Sequence, residues 1–248
     1  MELKARKILT TVLIVFVFNT LNAQVFQVVF NGYQSSVSSD LQKKEFNSKS
    51  AAYVDLAGGG SFELKYYFAN NFGLGVKWSY SAYLKDSESY EADLKQELGI
   101  VDDNFDLKLP PVYGSYNSQF IFSYVFDVKE KFQIEPYMGL GFKTFTTPLE
   151  RAIYSINSTT YNYRKDLKMF YGFSYTPGIK FQWNINKFIG LNLFVEYDGV
   201  SLEEGSEDHI ITSYNSFEKA STLKEYNAAT VNVGLGLAFS FGKGLKDK

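Results

Sequence analysis

The chain has 248 residues, 45% of them hydrophobic and 18% aromatic, with 23 Phe and 19 Tyr but 5 Pro and no Cys. Lack of thiol excludes a disulfide scaffold, a thiolate metal site and a cysteine nucleophile, and a formal charge of −2 lacks the basic footprint that nucleic-acid binding needs. This length suits one all-β domain, and the aromatic enrichment favours strands, because flat rings pack well on a pleated surface.

Residues 1–23 read as a cleaved signal peptide: a basic start (Lys4, Arg6, Lys7), an apolar core over 8–18, and a small residue, Ala23, before Gln24. That core is too short for a membrane-spanning helix, which needs roughly 20 apolar residues. Removing the leader takes away one negative and three positive charges, so the formal charge moves from −2 to −4. Residues 24–248 are then expected to form a single domain. No later stretch is apolar enough for a spanning helix.

Eight segments alternate in polarity: 25–37, 51–68, 72–84, 112–126, 132–146, 168–184, 188–201 and 230–241. The third is the clearest, with Phe72, Leu74, Val76, Trp78, Tyr80, Ala82 and Leu84 on one face and Gly73, Gly75, Lys77, Ser79 and Ser81 on the other. The last repeats it, with Val231, Val233, Leu235, Leu237, Phe239 and Phe241 opposite Thr230, Asn232, Gly234, Gly236, Ala238 and Ser240. A period of two over about eleven residues suits a tilted strand crossing a hydrocarbon layer. Mean hydropathy is only −0.18, because the two faces cancel in any average. Gly58, Gly59 and Gly60 predict a bulge or sharp coiling in the second segment.

The connections alternate strictly between short (69–71, 127–131, 184–187) and long (38–50, 85–111, 147–167, 202–225). An outer-membrane barrel has short periplasmic turns and long extracellular loops. Within the long loops, Tyr90, Leu94 and Leu98 behind Ser87 and Ser89 predict an amphipathic helix over the barrel mouth. Segments 153–156 and 160–163 flank Asn157-Ser158 as a hairpin. The expected fold is therefore a closed antiparallel up-and-down transmembrane β-barrel of about eight strands. The rival is a soluble lipocalin-like barrel, whose apolar face would point inward.

The strand Ile134-Glu135-Pro136-Tyr137-Met138-Gly139-Leu140-Gly141-Phe142 resembles the PY-x-G-x-G strand of OmpA/OmpX-type barrels and of Bacteroidetes outer-membrane barrels, PorT-like proteins included. The ending 233–241, closed by the outward aromatic Phe241, is similar to the signal read by the barrel-assembly machinery. The Ala23-Gln24 junction is similar to cleavage sites frequent in Bacteroidetes. This resemblance covers essentially the whole mature chain. It implies the cell outer membrane as location, with the lipid bilayer and the assembly machinery as partners, and PorT likeness implies an accessory role in secretion. The tail 242–248 after Phe241 departs from the pattern, since family barrels often end on the aromatic.

An eight-stranded barrel is only wide enough to be filled by side chains. The alternation points Glu63, Lys65, Lys77, Glu135, Lys143, Lys180, Glu196 and Asp198 inward, where opposite charges should pair into a plug. A narrow charged channel is the competing expectation. Glu203-Glu204 and Asp102-Asp103 show no calcium-loop spacing and read as solvated loop charge, as do Asp86, Glu88, Glu91 and Asp93 on a loop helix. His209, the one histidine, has Ser206, Glu207, Asp208 and Ser213 nearby, but sequence neighbours in a loop do not orient a nucleophile and base. Gly139-Leu140-Gly141 and Gly234-Leu235-Gly236 sit within strands without a following helix and do not predict phosphate binding. Of the loop aromatics Tyr154, Tyr161, Tyr163, Tyr214, Phe217 and Tyr226, the strand-end Tyr163 and Tyr226 suit an interfacial girdle. The reading is a non-enzymatic barrel, without cofactor or metal, with a structural or surface-interaction role through its extracellular loops. The alternatives are a small-solute channel and a secretion accessory.

Overall fold

The computed structural model describes residues 25–37, 53–68, 71–100, 106–108, 112–147, 150–156, 159–165, 168–204 and 225–242. Eight long strands carry the fold: β1 (Val25–Val37), β2 (Val54–Phe68), β3 (Phe72–Lys85), β4 (Val112–Tyr124), β5 (Phe132–Thr147), β6 (Lys168–Asn184), β7 (Ile189–Glu204) and β8 (Thr230–Phe241). Each pairs antiparallel with its sequence neighbours, and β8 pairs with β1 from Phe26↔Phe241 to Val37↔Thr230. The sheet closes on itself. The chain is an eight-stranded antiparallel β-barrel, and closure removes the unpaired edges that an open sheet would present.

The alternation fixes which way each strand faces. Phe120, Phe142 and Leu235 point outward and are 68%, 71% and 68% exposed, whereas their sequence neighbours Gln119, Lys143 and Gly234 are buried. Through the middle of the barrel the apolar side of the strands is thus outside and the polar side inside, the reverse of a lipocalin-like barrel. Ring contacts knit the outer belt, among them Phe30–Phe62 at 5.1 Å, Phe62–Trp78 stacked at 5.9 Å and Phe132–Trp183 stacked at 6.4 Å.

Two expectations about irregularities change. The register of β2 runs unbroken through Gly58, Gly59 and Gly60, and its shift lies instead between Val54 and Leu56. The segment expected as a turn at 127–131 is shorter. Strand Phe126–Lys129 continues β4 past Val125 and pairs with the start of β5, leaving Glu130 and Lys131 as the turn. Its alternation, Phe-Asp-Val-Lys, is that of a strand, and polar residues alone suggested a loop. The β6–β7 turn is held by Asn186, whose Oδ1 accepts from the backbone N–H of Phe188 and Ile189 at 2.8 and 2.9 Å.

At the long-loop end, helix α1 (Ser87–Leu98) follows β3 directly. Its cap is Asp86, whose side chain accepts from the Ser89 N–H at 3.1 Å, rather than either serine. Tyr90 and Leu94 are buried, Gly99 closes the helix in the left-handed conformation, and Lys95 pairs with Glu91 at 2.8 Å. Strands Glu150–Ile156 and Thr159–Lys165 form the expected hairpin, with Asp106–Lys108 adding a third strand alongside Glu150–Ile156. The leader 1–23, Asp102-Asp103, His209 and its neighbours, Tyr214, Phe217 and the side chains of Leu98, Tyr154, Tyr161, Tyr163, Glu204 and Tyr226 lie outside the described residues.

Candidate functional site in the barrel interior

All eight charged residues expected inside do lie in the lumen, each 5% exposed or less. Four lysines meet four carboxylates, so this cluster is electrically balanced. Lys65 binds both Glu135 oxygens at 2.9 Å and also reaches Glu63 at 3.2 Å. Glu63 accepts from Lys180 as well, and from the Asn31 amide at 2.9 Å. Lys77 pairs with Glu196, which also accepts from the Tyr137 hydroxyl and, at 3.0 Å, from the Asn232 amide. Lys143 pairs with Asp198 at 2.8 Å. Each carboxylate therefore has a cation, as burial of a charge demands.

Neutral side chains extend the charged cluster towards both ends. On the short-turn side, Gln27 donates to Gln182 and Ser240, and Tyr67 donates to Gln27 and Glu135. On the long-loop side, Gln119 donates to Ser174 and Thr176, Ser174 to Asn117, and Asn117 and Thr176 to Asp198. Tyr137 stands in the middle: the ammonium groups of Lys180, Lys77 and Lys65 lie 4.9, 5.9 and 6.0 Å from its ring centroid. The ring's electron-rich face attracts cations while its hydroxyl holds Glu196.

Above the polar layers the lumen changes character. Tyr83, Tyr113, Phe145 and Phe170 pack with Val37, Val54, Ala57, Val200, Leu202 and Ala228 into a buried apolar plug. Tyr83–Phe145 and Tyr113–Phe145 centroids are 5.3 and 5.7 Å apart. Alternation assigns the apolar face to the outside, so it does not predict this plug. The available signal is phase: Tyr83 shares the parity of Lys77 and Ser81, and Phe145 that of Lys143. Helix α1 continues the plug outward, since Tyr90 packs on Tyr53 at 5.2 Å, Lys85 lies over the Tyr90 ring at 3.1 Å, and Tyr53 donates to Asp93 at 2.6 Å. Asp93 thus belongs to a contact rather than to a wholly solvated face.

At the opposite end, Phe241 faces outward as expected, 51% exposed and paired with Phe26.

No protein-family model matches this chain, and no curated protein matches it. Among solved structures it is similar to a major outer membrane protein from Thermus thermophilus at 11% identity, over 89% of this chain and 100% of that one, with a TM-score of 0.49. Ail, the attachment invasion locus protein of Yersinia pestis, matches at 12% identity over 88% of this chain and 100% of that one, TM-score 0.42. The outer membrane protein OprG from Pseudomonas aeruginosa matches at 12% identity over 89% and 96%, TM-score 0.40.

Proposed function

We propose that this chain is exported to the bacterial outer membrane, holds its apolar belt in lipid, and acts at the cell surface through its long-loop end, passing no solute and catalysing no reaction. The leader 1–23, the outward terminal Phe241 and the likeness of the 134–142 strand to Bacteroidetes barrels belong to the same reading. Supporting the membrane placement is the exposed apolar belt itself, since contiguous exposed apolar area on this scale marks a membrane or protein partner.

The closed lumen rests on one observation: a balanced, mutually paired charge cluster lies beneath an aromatic plug, so both polar and apolar paths through the barrel are filled. With the lumen filled, the parts left among the described residues to make contact outside the membrane are α1 and the three-stranded sheet of Asp106–Lys108, Glu150–Ile156 and Thr159–Lys165.

Planar-bilayer recording on the purified mature protein tests the closed lumen. We expect no steady single-channel current, and steady unitary currents would replace this reading with that of a narrow channel. Membrane placement is tested by mobility in unheated and heated gels and by detergent removal. A chain that stays monodisperse without detergent and shows no heat-dependent mobility does not belong in the bilayer.

A further inference from the structure

The inner face of β8 is nearly bare. Its inward residues between Asn232 and Ser240 are Gly234, Gly236 and Ala238, none of which has a polar side chain to offer across the lumen. Among the described residues, five of the six buried side-chain atoms without a hydrogen-bond partner lie beside this strip, namely Asn31 Oδ1, Ser35 Oγ, Asn192 Nδ2 and Oδ1, and Asn232 Oδ1; the sixth, Ser123 Oγ, is on β4. The four residues beside the strip are 8% exposed or less and sit on β8 or its two neighbours. Leaving such groups unpaired costs about 1–3 kcal/mol each, so clustering of this kind points to a partner.

Their orientations are set by the ion pairs. The Asn31 amide nitrogen is turned towards β2, donating to Ser61 at 3.0 Å and Glu63 at 2.9 Å. Its Oδ1 is thereby swung over β8, only 2.0 Å from where a Cβ on Gly236 would stand. Across Gly236 on the other side is Asn192, since Gly236 is the register partner of both asparagines. Two strand spacings of about 4.8 Å separate those backbones, and the residue between them contributes no side chain. Asn31 Oδ1 therefore stands over Gly236, and Asn192, with an unpartnered donor and acceptor, flanks it from β7. The second group follows the same logic: Asn232 donates towards β7, to Glu196, which leaves its Oδ1 on the β1 side beside its register partner Ser35.

We propose that the inner face of β8 binds two separate internal waters, one over Gly236 held by Asn31 and Asn192, the other held between Ser35 and Asn232. The first water donates to the two asparagine oxygens and accepts from Asn192 Nδ2; three partners are typical for a buried water. The second donates to Asn232 Oδ1 and exchanges a hydrogen bond with the Ser35 hydroxyl. Between the two, Gly234 is covered by the ring of Phe194, which is fully buried and packs on Tyr33 at 6.3 Å. The ring keeps the sites apart, so they form no water file along the barrel. Each site backs an ion-pair carboxylate, Glu63 or Glu196, through one asparagine.

This inference rests on the closed-lumen reading, and its test is distinct from the bilayer recording. A crystal structure of the intact barrel fine enough to place waters should show two isolated peaks at hydrogen-bond distance from the named atoms and none against Phe194. Dry sites, with the amides bonded to one another, overturn the proposal without touching the closed lumen, as does a continuous chain of waters past Phe194. The variant Asn192→Leu gives an independent readout. A bound water makes the apolar replacement costly and lowers the thermal midpoint of the gel-mobility shift by several degrees, whereas an unchanged or raised midpoint means the asparagine had no partner to lose. Should Asn192→Leu fail to assemble, Asn192→Asp carries the thermal measurement: it removes the Nδ2 donor, so an unchanged or raised midpoint again counts against the water.

Discussion

Tyr137 and Glu196 meet across Gly178. Gly178 is the register partner of Tyr137 on one side and of Glu196 on the other, and the tyrosine ring lies flat across it to deliver its hydroxyl to the carboxylate. A Cβ on Gly178 would stand 2.4 Å from the ring's Cζ, so only glycine leaves the path clear. Gly178→Ala should cost about 1–3 kcal/mol, the usual penalty for overpacking a filled interior. Urea unfolding followed by gel mobility measures it. In the Tyr137→Ala background the same glycine change should cost far less, because the two effects share one contact. Equal costs in both backgrounds would show that Gly178 acts through its backbone alone.

Glu63 is the carboxylate on which most of the charge cluster converges, with Lys180, Lys65 and Asn31 as donors. Glu63→Leu strands the buried ammonium of Lys180 and takes one partner from Lys65, which keeps Glu135, and breaking a buried pair from one side costs about 3–5 kcal/mol. Adding Lys180→Met should restore part of that loss, since removing both partners of a buried pair is far gentler than removing one. The unfolding midpoints of the single and double variants decide it; a double variant weaker than Glu63→Leu would count against the pairing.

The inward charges were legible because strand parity is strict: once Lys77 opposes Trp78 and Val76, and Glu196 opposes Val195, the faces are fixed. Which lysine meets which carboxylate was not legible, since that depends on the stagger between strands; Lys77 and Glu196 are 119 residues apart and meet only through closure of the barrel. The aromatic plug was hidden for a different reason. Inward position says nothing about polarity, and Tyr83, Phe145 and Phe170 each share a face with polar or glycine positions. The hairpin and α1 are readable because both are local patterns, whereas the cap is Asp86, just before Ser87 and Ser89, which are cap residues of equal propensity.

The plug and the charge cluster should close the lumen independently. Phe145→Ala removes the ring that touches Tyr83, Tyr113 and Phe170, at a cost of about 3–5 kcal/mol for a buried Phe. The polar layers below are untouched, so the variant should be less stable in urea and still silent in planar bilayers. Currents from Phe145→Ala alone would mean that the apolar layer is the whole seal.

Leu235 lies near the middle of β8 and is among the most exposed apolar side chains, at 68%. In water a leucine there would gain nothing from its neighbours, and an arginine would be welcome. In a bilayer the same position faces hydrocarbon, where an arginine near the midplane costs about 2–4 kcal/mol and one near the interface about 0–1. Leu235→Arg should therefore destabilise the barrel in lipid vesicles much more than Val231→Arg, which sits four residues nearer the long-loop end of the same outward row. Unfolding titrations of both variants in vesicles give the comparison. A gradient along β8 places the belt in lipid, and two equal, negligible costs would mean that water or a partner protein covers this face instead.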